Sequence, residues 1–159
     1  VGRAATLGLW HAPQCRDWPD GVPAVVDVYA LDESLRAIRA GRAVFYLLLD
    51  HDAGRLIASS DDDCLALRRI GTWLLLEVSP CNPAGRAALA VIEASGRREL
   101  SVGLHTSRVR KRYASGALAG VRITEGAVGE VSLVRHAACP GCRLSPYDWR
   151  AFRKACSKR

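Results

Sequence analysis

In the stretch "ELSVGLHT" (residues 99–106), strand alternation puts Leu100, Val102 and Leu104 on one face and Ser101, Gly103 and His105 on the other. A serine beside a glycine on a strand face has two readings. Small residues there make room for a packed helix. Alternatively the serine is a nucleophile, which needs a histidine to take its proton and a third group to orient that histidine. The chain has four histidines, His11, His51, His105 and His136. His51 stands at the polar end of the apolar run "AVFYLLLDHD", where a side chain can be held rigidly and still reach a site. His105 shares the face of Ser101 but lies about 13 Å along an extended strand, which suits a wall or specificity group rather than a proton acceptor. Glu130 falls among apolar residues in "GEVSLV". A half-buried carboxylate needs a partner. Arg122 or Arg135 would make it an ordinary ion pair, and a histidine would make it an orienting group.

A second constellation is "HAACPGC", which spaces His136, Cys139 and Cys142 three residues apart, with Cys156 as a candidate fourth ligand. A Cys-x-x-Cys turn can hold zinc tetrahedrally. One pair falls short of the two complete pairs of a typical zinc module, and a reduced surface loop is the competing reading. No other cofactor is expected.

These residues must be positioned by short elements. The 159 residues suit one domain, and 49% hydrophobic against 25% charged residues suits a globular chain. No run approaches the ~20 apolar residues of a membrane span, and "VGRAATLGLW" lacks the sustained apolar core of a signal peptide. The six cysteines are expected as free thiols, with Cys64 and Cys81 as small core residues. Net charge is +7, much of it in "RVRKR" and the tail from Arg150, which by charge alone suits nucleic acid bound without specificity, an acidic protein or a membrane surface; of these, no membrane partner is expected.

Residues 1–23 read as irregular. "AVVDVYA" reads as a strand and "DESLRAIRAG" as a helix capped by Asp32 and stopped at Gly41. Strands follow in "AVFYLLLD" and "RLIAS". "CLALRRI" and "TWLLLEVS" form a hairpin around Gly71, and "NPAGRAALAVIEASG" is a helix with Asn82 as N-cap and Gly96 as its end. A strand is expected over residues 99–108, then a basic loop. One or two strands are expected in "GVRITEGAVGEVSLVR", and a basic helix or tail over residues 145–159. Mostly strands with inserted helices, in no regular alternation, exclude a doubly wound sheet. They predict a mainly β, α+β domain: a closed or nearly closed barrel with helices outside.

The segments "LLLDHD", "ELSVG" and "GEVSLV", in that order, resemble the capsid maturation (prohead) proteases of tailed bacteriophages. The resemblance runs over residues 25–141 and includes the helix leading into the serine strand. It implies a fold similar to the herpesvirus assemblins and a serine endopeptidase in which Ser101 is the nucleophile, His51 the general base and Glu130 the acidic member. It implies Gly103 as space for a substrate backbone beside Ser101. By analogy with assemblin arginines, Arg135 is a candidate oxyanion donor, in competition with a backbone N–H near Ser101 or Gly103. The implied substrate is the scaffold portion of a major capsid protein, and the protease itself, within an immature prohead in a bacterial cytoplasm. The implied enzyme self-associates. Two alternatives are a capsid scaffolding protein of this fold without proteolysis and a basic, zinc-stabilised nucleic-acid-binding domain.

Overall fold

The computed structural model describes residues 1–8, 19 and 21–145. The expected C-terminal helix therefore lies outside the described residues, as do His11, Cys15 and Cys156. The order of elements is β1 (Gly2–Thr6), β2 (Ala24–Val26), α1 (Asp32–Arg39), β3 (Tyr46–Leu49), β4 (Asp52–Ser59), a 3₁₀ turn (Ser60–Asp62), β5 (Leu65–Ile70), β6 (Trp73–Val78), α2 (Pro83–Ser95), β7 (Glu99–Ala114) and β8 (Ala117–Val134). The protein is mainly β with two helices among the described residues.

The strands form two sheets. The smaller has the order β1-β6-β5. In the larger, the long strand β8 is the axis. It pairs antiparallel with β7 along one side and parallel with β2 and then β3 along the other, while β4 flanks β3. A strap at residues 142–144 joins the sheets on one side: Leu144 bridges Gly2 and Arg143 bridges Glu99. Leu100 N–H donates to the Cys142 carbonyl at 2.9 Å.

No closed barrel forms among the described residues, because β4 and β5 do not pair. The sequence between them explains the gap. Ser59 and Asp62 make a reciprocal capping box on the 3₁₀ turn, and Asp63 closes it in the left-handed conformation. The chain is turned away before β5 could run along β4.

Phe45, Leu47, Leu74, Leu76, Leu100, Val131 and Leu133 are fully buried and belong to one apolar core. Each such side chain contributes about 1.5–3 kcal/mol relative to exposure. Cys64 is buried as expected, whereas Cys81 is exposed.

Three other expectations change. Residues 2–6 are a strand, not irregular chain. Their alternating burial sets Gly2, Ala4 and Thr6 against the protein, and pairing with β6 overrides a weak local β-propensity. The basic segment "RVRKR" is not a loop but the continuation of β7, which turns into β8 only at Ser115 and Gly116, both with positive φ. A strand can be basic where its neighbour supplies the ladder hydrogen bonds and its charged side chains reach solvent; here Val109 pairs with buried Ile123 and exposed Lys111 with buried Val121. Asp32 does not cap α1, whose N-cap residue is Leu31. Its carboxylate instead takes Arg69 of β5 through two hydrogen bonds of 2.7 and 3.0 Å, pinning α1 to the smaller sheet.

Helix α2 follows its sequence closely. The Asn82 side chain accepts from Gly85 N–H at 2.8 Å, Pro83 opens the first turn, and Gly96 ends the helix at φ 65°. The chain then has three residues in which to reach the start of β7.

Candidate active site

The site is built on the face of the larger sheet away from the core. Strand β3 ends at Leu49, which pairs with Asp52 of β4, so Asp50 and His51 form a two-residue hairpin turn. Both have positive φ, 57° and 59°. This is the backbone of a type I′ turn, which usually takes Asn-Gly; Asp and His tolerate the left-handed region better than most residues but not freely. The surrounding structure holds the strained pair in place. Asp50 N–H donates to the Leu133 carbonyl at 2.9 Å. The Asp50 carboxylate accepts from Arg97 at 2.7 Å and Arg55 at 3.0 Å. His51 N–H donates to Ser132 Oγ at 3.2 Å.

The His51 ring reaches back over β8. Its Nδ1 lies 2.5 Å from Glu130 Oε1. An ionised carboxylate only accepts, so the proton of this bond belongs to Nδ1 and the opposite ring nitrogen, Nε2, is left as the basic atom. The other Glu130 oxygen accepts from the Ser132 hydroxyl. Both carboxylate oxygens are therefore engaged, and Ser132 is fully buried. The hydrogen bond to Glu130 raises the pKa of His51 above that of a free imidazole, against the lowering effect of burial; the charges of Glu130 and Asp50 act in the same upward direction.

Ser101 is placed next to this group by strand register, and among the described residues no hydrogen bond joins its hydroxyl to His51. Ser101 pairs with Ser132, and Gly103 with Glu130. Directly opposed residues share a sheet face with Cα atoms about 4.5–5.5 Å apart. Ser101 is thus the β7 neighbour of the serine that bonds both His51 and Glu130, and it is half-buried rather than sealed. Gly103 does not leave open space for a substrate backbone. The Glu130 carboxylate occupies that space, and a Cβ at residue 103 would come within 3.0 Å of its Oε1, Cδ and Cγ.

Of the alternative partners for Glu130, Arg122 is engaged instead by Asp27 at 3.0 Å. Arg135 is exposed beyond the end of β8, and among the described residues no hydrogen bond ties it to Ser101, Ser132 or Glu130. Exposed His105 lies over Gly129, where a Cβ would sit 2.7 Å from its Nε2. A bulge produces this: Gly103 and Leu104 pair with Glu130 and Val128, leaving Gly129 unopposed. Val128 N–H, at the same irregularity, donates to the buried Ser34 hydroxyl at 3.0 Å.

Among the described residues, no three histidine, cysteine or acidic side chains come together as metal ligands. His136, Cys139 and Cys142 therefore do not form a three-ligand group. Cys142 and Cys139 are close to one another, and their hydrogen bond together with burial pushes the Cys142 thiol pKa up.

Ser132 is the site residue that sequence reasoning passed over. Its signal was present in "GEVSLV": two positions after Glu130 on a strand, it must share that residue's face. Comparison with protein-family models, curated proteins and solved structures finds none that matches this chain.

Proposed function

We propose that the chain is a serine endopeptidase of the capsid maturation type, acting on the scaffold portion of a phage or phage-derived major capsid protein and on itself. The observation that carries the proposal is the 2.5 Å contact between His51 Nδ1 and Glu130 Oε1, made beside a strand serine, Ser101, in ladder register. The same residues stand in segments that resemble that family in their chain order.

In this reading Nε2 of His51 takes the Ser101 hydroxyl proton as Oγ attacks the peptide carbonyl. The imidazolium so formed is held by Glu130. It returns the proton to the leaving amine as the C–N bond breaks, and water then cleaves the acyl-enzyme with His51 again as base. Glu130 is itself held by the Ser132 hydroxyl, which fixes the carboxylate that orients the imidazole. Ser101 and Ser132 divide the work: the half-buried serine reacts and the sealed one positions.

The test is labelling of the purified chain with a fluorophosphonate, which reacts with activated serines. Intact-mass analysis should show one adduct, mapped to Ser101 and absent in Ser101→Ala and His51→Ala. Co-expression with a candidate capsid precursor should shorten the precursor only with wild type. A folded protein that takes no label and leaves the precursor whole would overturn the proposal in favour of a non-proteolytic scaffolding protein.

A further inference from the structure

Four arginines converge where α2 hands over to β7. Arg97, Arg98, Arg135 and Arg143 line a cleft of about 500 Å³ together with Gly96 and Glu99. Two are engaged from behind. Arg97 donates to Asp50 at 2.7 Å, and Arg98 donates to the Ile92 and Arg97 carbonyls at 3.0 and 2.8 Å. Arg135 and Arg143 are exposed, and among the described residues neither has an ion-pair partner. Among the described residues Glu99 supplies the cleft's one lining carboxylate, and it is already accepting from Ala137 N–H at 2.5 Å.

Cations crowded into a concave surface repel one another and concentrate anions. The guanidinium fork matches a carboxylate, which it can bind through two parallel hydrogen bonds. The position matters as much as the charge. Glu99 precedes Ser101 by two residues, about 7 Å along a strand, and the rest of the cleft extends away from the serine. An extended chain crossing Ser101 would carry its neighbouring side chains into it. Among the described residues none that lines the cleft is aromatic, and the guanidinium forks match the bidentate geometry of a carboxylate, which favours an acidic peptide over a single-stranded nucleic acid.

We propose that this cleft is a binding site for acidic side chains of an extended peptide, with Arg135 and Arg143 as the contacting residues. As a specificity site the proposal rests on the protease reading; as a binding site it does not.

The experiment uses the full chain carrying Ser101→Ala, so that binding is read without turnover. Fluorescence anisotropy follows a fluorescein-labelled peptide of alternating Glu and Ala, its Gln counterpart, and an oligothymidylate. The Arg135→Gln/Arg143→Gln protein is compared with Arg108→Gln/Arg110→Gln, which has the same net charge but is altered on the exposed part of β7. The Glu peptide should bind at least about tenfold more tightly than the Gln peptide, a difference of one charge-assisted pairing. The cleft substitutions should abolish that preference, and the β7 substitutions should change it less than about twofold. Equal weakening by both pairs would mean diffuse attraction to a basic protein and would overturn the proposal. So would an unchanged affinity in the cleft variant, or tighter binding of the oligothymidylate lost with the same two arginines. Fluorophosphonate labelling of the wild-type chain is scored separately, so failure of the protease reading leaves the binding result standing on its own.

Discussion

Gly103 and Glu130 face each other across the β7–β8 ladder, and the carboxylate lies where any side chain at residue 103 would have to be. The glycine is thus what allows Glu130 to turn along the sheet face and meet His51. Replacing Gly103 by alanine should leave the fold intact, because the obstructing atoms are the end of a side chain that can swing away. If Ser101 is the nucleophile proposed above, it should cost on the order of 10²-fold in the rate of Ser101 labelling, since the histidine loses its orienting group. Thermal melting and labelling kinetics on the same protein separate the two effects. A variant that labels at the wild-type rate would show that Glu130 does not need this position.

Ser132→Ala removes a hydroxyl that serves two partners, the Glu130 carboxylate and the His51 backbone. If Ser132 positions these groups, the variant should still label at Ser101 but about tenfold to a hundredfold more slowly. Its pH profile should also move. A structural role alone would lower stability and leave the profile in place.

The profile itself follows from the raised pKa of His51. In the proposed mechanism His51 acts as base in its neutral form, so the labelling rate should climb as pH rises through the His51 pKa, above the ordinary histidine value of about 6.5. In Glu130→Gln the cause of the upward shift is gone. The rise should then occur at lower pH, with a smaller plateau. Linkage gives a second readout. A group whose pKa is raised on folding adds stability that is complete below its unfolded pKa and is lost as pH rises through the folded value. The stability advantage of wild type over Glu130→Gln, from urea midpoints, should therefore shrink from about pH 6 upwards.

Asp32 gives the opposite sign. Its hydrogen bonds to Arg69 lower its pKa, and Arg69 in turn lies 4.8 Å over the Tyr29 ring. Asp32→Asn should cost about 1 kcal/mol near neutral pH. The stability carried by this pair is present above the unfolded carboxylate value of about 3.9 and disappears as pH falls through the lower folded value. Urea unfolding at neutral and acidic pH checks both the size and the direction.

Gly85 sits in the first turn of α2, and a Cβ there would lie within 3.0 Å of the Ser79 carbonyl oxygen and carbon. Backbone cannot swing aside as a carboxylate can. Gly85→Ala should therefore destabilise the fold by about 1–3 kcal/mol even though alanine is the better helix former, with ordinary labelling at Ser101 while the protein remains folded. Denaturant midpoints provide the measurement.

Much of this protein follows from local chemistry. The α2 boundaries are written in Asn82, Pro83 and Gly96, because caps act within one turn. The β5–β6 hairpin around Gly71 and the face shared by Ser101 and Gly103 follow from period-two alternation, which is likewise local. The candidate residues Ser101, His51 and Glu130 could be named from their settings and the family resemblance. Other features depended on partners distant in the chain. The alanine- and glycine-rich β1 is a strand because β6 lies beside it. The basic half of β7 is a strand because β8 runs beside it and supplies its ladder hydrogen bonds. Asp32, a good cap by type, is drawn instead to Arg69, 37 residues away. Above all, Glu130 had two arginines and a histidine to choose among by composition alone. The parallel pairing of β3 with β8, and the left-handed Asp50–His51 turn locked by Arg97 and Ser132, chose the histidine. Sequence determines which side chains can do the chemistry and which face each takes. Only strand register and turn geometry, set by packing between segments far apart in the chain, decide which of them meet.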